Sequence, residues 1–307
     1  MRRPTSAANC SARAAGSCSC SRSRARRNGC CSLTADSSSP RSAPPPERSS
    51  RASPTWSPIW RHSPATPSCE EQNVSKYPEV KTADDFHHQP VEYQEAVRKI
   101  IRSHALNELY GAQVFDEPAI ALAPTPYAKW LTCRVAMEEY HHHVRFKELA
   151  DQIGVSADEM QPDKKRPLNI FEFPLQTWEE FCAIKMLGDL AEILQVEDLL
   201  HCSYLPLRNV ARITMPEERF HAQFGLDFCG DLCETREGKA RVQDAVNRFY
   251  PGAPRFFGSS GSKNNAIFRK YAIKMRKNEE MRDDYMARAK DAVDKLGLRL
   301  PEVPLDA

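Results

Sequence analysis

Two copies of the spacing Glu-x-x-His stand out in this chain, Glu139-Tyr-His-His142 and Glu218-Arg-Phe-His221. On an α-helix, residues three apart lie on the same face, so each unit would point one carboxylate and one imidazole in the same direction. Oxygen and imidazole ligands suit iron, and paired units of this kind hold two metal ions in helical bundles. The spacing therefore predicts a two-metal centre suited to oxygen chemistry.

A two-metal bundle also needs one carboxylate from each of two further helices. Glu108 lies 31 residues before Glu139, and Asp189 lies 29 residues before Glu218. Each distance corresponds to about one long helix plus a turn, so two antiparallel hairpins would bring four helices to a common core. The predicted metal ligands are Glu108, Glu139, His142, Asp189, Glu218 and His221, and the four carboxylates among them are also the candidate catalytic residues. Four buried acids without metal would be costly, which disfavours a purely structural role.

Some positions leave alternatives open. Glu138-x-x-His141 is a competing register on the same helix, rotated by about 100°. Arg134 and Arg145 flank Glu138 and indicate a solvated face, whereas Glu139 is surrounded by apolar positions. In the other Glu-x-x-His helix Glu217 has Phe220 three residues on, so only Glu218 makes the pair.

Similar alternatives surround the two lone carboxylates. Glu192 lies one turn after Asp189 and could replace it as a ligand. His104, one turn before Glu108, is expected to support the site rather than to bind metal. We expect surface or supporting positions for His87, His88 and His143.

The elements that must position these residues are helical. Apolar periodicity and Pro, Gly and Thr signals predict four long helices, at about 90–115, 127–153, 177–204 and 207–235, with Pro216 as a kink. Thr177 and Glu180 have the spacing of a capping box. A short β-prone segment is expected at 168–174, and smaller helices at 238–249, 263–276 and 278–296. The fold class is therefore all-α, a ferritin-like four-helix bundle with additional C-terminal helices.

The composition divides the chain at about residue 75. Up to Asn73 there is no lysine, and arginine, serine, proline and cysteine dominate. We expect 1–75 to be a disordered extension or a stretch translated from upstream of the true start, with Val74 as a candidate beginning. The ferritin-like di-iron oxygenase domain would then span 76–307, long enough for one sizeable core.

Charge and cysteine usage limit the functional classes. The formal net charge of +2 gives no electrostatic case for nucleic acid. No apolar run is long enough to span a membrane, and no secretory h-region follows Met1. The five cysteines from Cys133 onward fall on predicted helices and are expected to be buried thiols in a reducing compartment. The expected location is cytoplasmic.

Several segments resemble the catalytic A subunits of bacterial phenylacetyl-CoA epoxidases, a family of ferritin-like di-iron monooxygenases. The resemblance runs from about residue 90 to Glu302. It is carried by Asn107-Glu-Leu-Tyr-Gly111, Met137-Glu-Glu-Tyr-His-His142, Asn169-Ile-Phe-Glu-Phe-Pro174, Thr177-Trp178, Gly188-Asp-Leu-Ala191, His201-Cys-Ser-Tyr204, Glu217-Glu-Arg-Phe-His221 and Ala245-Val-Asn-Arg-Phe249. It implies the same six iron ligands that the spacing predicts.

The resemblance also implies an activity and partners. The family inserts oxygen into the aromatic ring of an aryl-CoA thioester, using two iron ions and O2. It works with a reductase that carries flavin and an iron–sulfur cluster and draws electrons from NAD(P)H, and with a non-catalytic ferritin-like scaffold subunit. All six ligand positions are filled here, which is typical of the catalytic subunit. Tyr140 and His141 stand where the family commonly has small residues, which leaves the particular substrate open.

Three other interpretations remain. A related di-iron hydroxylase with a different substrate is the nearest of them. A ferritin-like iron oxidase or storage protein is less compatible with the helical extension after Thr235. A silent scaffold subunit would not keep all six ligand positions, and about two irons per chain would argue against it.

Overall fold

The computed structural model describes residues 77–160 and 172–303. Within these ranges the chain is helical without any strand, and an isolated bridge joins Val80 to Tyr204. No described helix is long and apolar enough to cross a membrane. The expectations for 1–75 and for most of the β-prone segment 168–174 concern residues outside the described ranges.

Four long helices form the bundle, and the all-α, ferritin-like fold class is confirmed. They are α2 (Val91–Gly111), α4 (Pro126–Gln152), α5 (Trp178–Leu199) and α6 (Leu205–Cys233), with a short α1 (Ala83–His87) before them. Residue pairing shows that neighbours run antiparallel. Arg98 and His143 bond to the backbone carbonyls of Ile153 and Ala105 respectively, so numbers rise on α2 as they fall on α4.

Local signals fix where these helices begin. Thr177 accepts a hydrogen bond from the Glu180 N–H while the Glu180 carboxylate accepts from the Thr177 N–H, which confirms the predicted capping box. Thr125 caps α4 by accepting from the Ala128 N–H. Pro216 lies inside α6, which continues past it to Cys233. These caps satisfy N–H groups that the helix itself leaves unpaired.

The segment after α2 differs from the prediction. The helix does not stop near 115 but continues through a π-helical turn (Ala112–Asp116) into α3 (Glu117–Leu122). A π turn holds an extra residue and so shifts which side chains face the core. As a result Asp116 is turned into the bundle and is 1% exposed.

Two apolar cores lie at opposite ends of the bundle. One joins the first halves of α4 and α5 to the second half of α6 and the C-terminal helices. The other joins α2 to the second halves of α4 and α5 and to the first half of α6. The polar residues that the sequence singles out lie on the same helices at the level where the cores meet.

Helix α5 is central and is buried on nearly all sides. It approaches α6 very closely at Gly225, where a Cβ atom would lie 2.2 Å from the Met186 backbone nitrogen. This close approach fixes the spacing of the two helices, since any side chain at Gly225 would force them apart. It also fixes the positions of the polar residues that α5 and α6 contribute.

The C-terminal helices cover α5 from the other side. They are α7 (Arg236–Phe249), a 3-10 segment (Tyr250–Phe257), α8 (Lys263–Lys270) and α9 (Asn278–Lys295). The helix predicted to reach 276 ends at Lys270, and beyond it Asp198 of α5 accepts hydrogen bonds from the backbone N–H groups of Met275 and Arg276.

The cysteines are only partly as predicted. Cys182, Cys202 and Cys229 are buried, but Cys133 is exposed because it faces outward on α4. All five cysteines in the described part of the chain are free thiols.

Candidate metal centre

All six predicted ligand residues converge between the four long helices, and each is 8% exposed or less. Their donor atoms form two groups, in each of which the atoms lie within 4.8 Å of one another. The first group is Glu108, Glu139, His142 and Glu218, and the second is Glu139, Asp189, Glu218 and His221. Glu139 and Glu218 belong to both groups. The arrangement is that of two adjacent sites joined by two shared carboxylates.

Within this cluster each imidazole faces the carboxylate of the opposite Glu-x-x-His unit. His142 Nδ1 lies 3.0 Å from Glu218 Oε1, and His221 Nδ1 lies 3.1 Å from Glu139 Oε1. Both Nδ1 atoms and Glu218 Oε1 are buried and make no hydrogen bond of acceptable geometry within the described residues. Buried polar atoms rarely go unpaired, so a cluster of orphaned oxygen and nitrogen donors fits metal ions.

The Nε2 atom of each candidate ligand histidine contacts a glutamate on the other Glu-x-x-His helix. That glutamate lies directly before the candidate ligand glutamate of its own helix. His142 Nε2 is 2.9 Å from Glu217 Oε2, and His221 Nε2 is 2.9 Å from Glu138 Oε2. An ionised carboxylate can only accept a hydrogen bond, so Nε2 carries the proton in both rings. Nδ1 is thereby the atom that faces the cluster and can bind metal.

Two arginines orient these glutamates in turn. Arg145 binds both oxygens of Glu217, at 2.5 and 3.2 Å, and Arg134 donates to Glu138 at 2.9 Å. Glu138 was predicted to face solvent, and that prediction is wrong. Its side chain is 14% exposed, because the antiparallel packing of α4 and α6 turns it toward His221.

Electrostatics distinguish the outer glutamates from the inner ones. Burial raises the pKa of Glu217, but hydrogen bonds with His142 and Arg145 outweigh it and hold the pKa at about 2. Burial raises the pKa of Glu218 to about 7 despite its proximity to His142. Burial opposes protonation of His221, but the charge of Glu139 and the bonds to Glu138 and Glu139 raise its pKa to about 9. Without metal, the cluster therefore retains protons near neutral pH.

A buried lysine completes the cluster. Lys185, 3% exposed, places its Nζ 2.6 Å from Glu139, 2.8 Å from Asp189 and 3.1 Å from Asp116. Burial lowers the pKa of its ammonium group, but the three carboxylates outweigh burial and raise the pKa. Lys185 thus places one positive charge between Glu139, Asp189 and Asp116.

The remaining histidines lie outside the two four-residue groups, and His104 forms a third group with Glu108 and Glu192 whose donor atoms also lie within 4.8 Å of one another. His104 stacks on Phe146 and places its Nδ1 3.1 Å from Glu192 and 3.9 Å from Glu108. Glu192 therefore pairs with His104 and lies outside both four-residue groups, whereas Asp189 lies inside the second. His143 bonds to the Ala105 carbonyl, and His87, His88 and His141 are exposed.

A cavity opens beside the cluster. Its polar side is formed by the four carboxylates of the two donor groups and by Asp116, Lys185 and Glu192, and its apolar side by Phe115, Ile184, Gly188, Phe249 and Phe256. The cavity is open to solvent at its mouth. A cavity with one reactive polar wall and one apolar wall is typical of a small-molecule site.

Comparison with known proteins gives this arrangement a family. A sequence model described as phenylacetic acid catabolic protein matches residues 79–306. The chain belongs to the phenylacetic acid catabolic protein family. It is also 26% identical, over 242 residues, to the A subunit of the 1,2-phenylacetyl-CoA epoxidase of Escherichia coli strain K12, covering 76% of this chain and 77% of that protein.

Tyr140 and His141, the two residues that were expected to depart from the family's pattern, do not form part of the two donor groups. Tyr140 donates a hydrogen bond to Glu117 at 2.6 Å, and His141 is exposed on α4. Neither residue lines the cavity.

Four residues of the site were not predicted from the sequence: Asp116, Glu138, Lys185 and Glu217. The sequence does carry a signal for Glu138 and Glu217, because each lies directly before the glutamate of a Glu-x-x-His unit and four residues before its histidine. Lys185 could have been noticed as the one basic residue of α5, four residues before Asp189. No sequence pattern signals Asp116, because its orientation depends on the π turn.

Proposed function

We propose that this chain is the catalytic subunit of an O2-dependent di-iron monooxygenase that epoxidises or hydroxylates the ring of an aryl-CoA thioester such as phenylacetyl-CoA. The observation that carries the proposal is the pair of overlapping donor groups that share Glu139 and Glu218. The similarity to a component of a phenylacetyl-CoA epoxidase supports the substrate class. The proposed ligands are Glu108, Glu139, His142, Asp189, Glu218 and His221.

Iron held by these residues would supply the activation of O2 and the transfer of one oxygen atom to the substrate. The protein's own contribution starts with ligand orientation. Glu217 and Glu138 keep the Nε2 protons of His142 and His221 in place, so both Nδ1 atoms stay available to metal. Such outer hydrogen bonds also raise ligand basicity.

Lys185 and the cavity walls make the second contribution. The Lys185 ammonium group is a fixed positive charge against Glu139 and Asp189, and it limits the repulsion between these carboxylates. The apolar wall, including Phe249 and Phe256, offers no hydrogen-bonding side chain to water in the space next to Asp189. An oxygenase benefits from such a wall because it keeps reactive species away from solvent.

The proposed complex contains further proteins, namely a reductase that passes electrons from NAD(P)H through flavin and an iron–sulfur cluster, together with a non-catalytic ferritin-like scaffold subunit. Support comes from the E. coli relative, which is named as one subunit of its enzyme, and from the outer face of α4. Tyr127, Trp130, Met137 and Val144 are 44–66% exposed there. They are spaced by three or seven residues, which places them in one stripe that suits a helix of a partner. We assign this stripe to the scaffold subunit.

Iron content and oxygen consumption test the proposal. We expect about two irons per chain, and O2 consumption with a reductant that phenylacetyl-CoA stimulates and that yields an oxygenated thioester. If O2 is consumed at the same rate with and without the thioester, the result would instead indicate an iron oxidase or a hydroxylase with another substrate. A chain without stoichiometric iron would be a silent scaffold.

Two neighbouring histidines on α4 provide a matched pair of variants. His142→Ala should remove one proposed ligand and abolish thioester-dependent turnover. His141→Ala, which changes an exposed residue next to it, should leave turnover and iron content unchanged. Equal activity in the two variants would overturn the ligand assignment. For the partner surface, Trp130→Glu should prevent co-purification with the scaffold subunit while the chain keeps its iron, and retained co-purification would contradict that assignment.

A further inference from the structure

We propose that His104, Glu108 and Glu192 form an accessory site for a third divalent transition-metal ion, beside the two-metal centre. One donor atom from each of these residues lies within 4.8 Å of the other two. The set combines one imidazole nitrogen with two carboxylates, which suits Fe²⁺ or Zn²⁺ better than the harder Mg²⁺ or Ca²⁺. The inference rests on the proposed function only through Glu108, which belongs to both sites.

Two atoms of this group face each other at short range without a hydrogen bond. His104 Nδ1 lies 3.1 Å from Glu192 Oε1, and the two side chains are 8% and 13% exposed. Despite the short distance, Glu192 Oε1 is buried and makes no hydrogen bond of acceptable geometry within the described residues. Buried polar atoms rarely go unpaired, and two donor atoms that approach each other without bonding fit a metal ion held between them.

The separations within the group fit the ligands of one ion. Metal–nitrogen and metal–oxygen bonds of about 2.1 Å place two ligands at a right angle about 3.0 Å apart, and two opposite ligands about 4.2 Å apart. His104 Nδ1 lies within this range of both carboxylates, at 3.1 Å from Glu192 and 3.9 Å from Glu108. Stacking on Phe146, with 5.0 Å between ring centroids, holds the imidazole in this orientation.

Glu108 can serve both sites because its two oxygens face different histidines. Its Oε1 atom lies 3.9 Å from His104 Nδ1, whereas its Oε2 atom lies 3.8 Å from His142 Nδ1. An ionised carboxylate has lone pairs on both oxygens, so one oxygen can bind each ion. The accessory ion would therefore adjoin the position formed by Glu108, Glu139, His142 and Glu218.

The cavity gives this site access to solvent. Glu108 and Glu192 both line the cavity, whose mouth is open. An ion at the accessory site would have three protein ligands, one of them shared, whereas each position of the two-metal centre has four. We therefore expect the third ion to bind more weakly and to be lost on gel filtration into metal-free buffer. The isolated protein would then keep about two irons.

The test counts the Co²⁺ ions bound to the full chain by anaerobic equilibrium dialysis at increasing free Co²⁺. Co²⁺ takes the same oxygen and nitrogen ligands as Fe²⁺. Wild type should bind two ions tightly and a third more weakly. Glu192→Gln removes a carboxylate charge with little change in shape, and it should lose the third ion while the first two remain. His104→Phe keeps a ring that can stack on Phe146 and should lose the same ion, so it replaces Glu192→Gln if that variant fails to fold.

Glu197→Gln is the matched control. Glu197 lies on the same helix as Glu192, is 21% exposed, and pairs with Arg288 at 3.1 Å. It belongs to none of the three donor groups, so Glu197→Gln should still bind three ions. If this variant also loses the third ion, the assignment is overturned, because the loss of any charge on α5 would then have the same effect.

The outcomes distinguish this inference from the proposed function. Two ions in both wild type and Glu192→Gln would overturn the accessory site and leave His104 and Glu192 as an ion pair, while the two-metal centre stands. Three ions in both Glu192→Gln and His104→Phe would also overturn it. A single ion in wild type that His142→Ala keeps and Glu192→Gln loses would support the accessory site and count against the two-metal centre. No bound Co²⁺ at all would overturn both.

Discussion

Replacing Glu217 by glutamine tests whether the outer glutamates prepare the histidines for metal. The isosteric amide keeps the shape of the side chain but removes its charge, and it can rotate so that its NH2 group meets His142 Nε2. A hydrogen bond to a charged group contributes about 1.5–3 kcal/mol. Because the Glu217 side chain is 22% exposed, the lower part of that range applies.

A loss of about 1.4 kcal/mol corresponds to about tenfold weaker binding, and outer-sphere changes typically weaken metal binding by about 10–100-fold. His142 belongs to only one of the two donor groups. Glu217→Gln should therefore lower the affinity for one of the two bound ions by about tenfold and leave the affinity for the other close to that of wild type. Its pKa of about 2 keeps Glu217 ionised throughout the working range, so the effect should not depend on pH between about 5 and 8.

The assay is an anaerobic titration with ferrous iron in competition with a chelator of known affinity. Glu138→Gln should give the mirror result through His221, and Glu148→Gln, which changes an exposed glutamate on α4, is the control. The reasoning is refuted if Glu217→Gln binds both ions as wild type does. Equal weakening of both ions with loss of helix content would also contradict it, because the effect would then be on folding.

Three further predictions concern stability. Lys185→Met should destabilise the metal-free protein by about 3–5 kcal/mol, because three carboxylates lose their buried countercharge; urea unfolding measures this, and unchanged stability would contradict it. His104 and His221 have a pKa of about 9, above the ordinary 6.5. Their contribution is therefore complete below about pH 6.5 and lost as the pH rises through about 9. The metal-free protein should therefore melt at a lower temperature at pH 9 than at pH 6. Iron binding displaces the proton of His221, so iron affinity should increase over the same pH range; parallel trends in melting temperature with and without iron would refute this. Gly225→Ala should lower the free energy of unfolding by on the order of 2–4 kcal/mol, because the new Cβ would lie 2.2 Å from the Met186 backbone nitrogen. Thermal unfolding measures this against Gly230→Ala in α6, where a Cβ would meet only Leu296 at 3.8 Å, and equal melting temperatures of the two variants would contradict the prediction.

The sequence by itself predicted the four long helices and which glutamate and histidine share a helix face. Residues three apart must share a helical face whatever the tertiary structure, so Glu139 with His142 and Glu218 with His221 could be paired from spacing alone. Thr177 and Glu180 likewise act within one turn, and their capping box was predicted correctly. Such local rules do not depend on how the helices pack.

The tertiary structure decided the contacts between helices. Glu138 and Glu217 acquire their partners because antiparallel packing of α4 and α6 brings each to the histidine of the other helix, and no local rule sets that register. Asp189 rather than Glu192 joins the cluster because the rotation of α5 turns Glu192 toward His104. Asp116 reaches Lys185 only because a π turn shifts the phase of the helix. Rotation and register depend on the packing of whole helix faces, which pairwise spacing in the sequence does not encode.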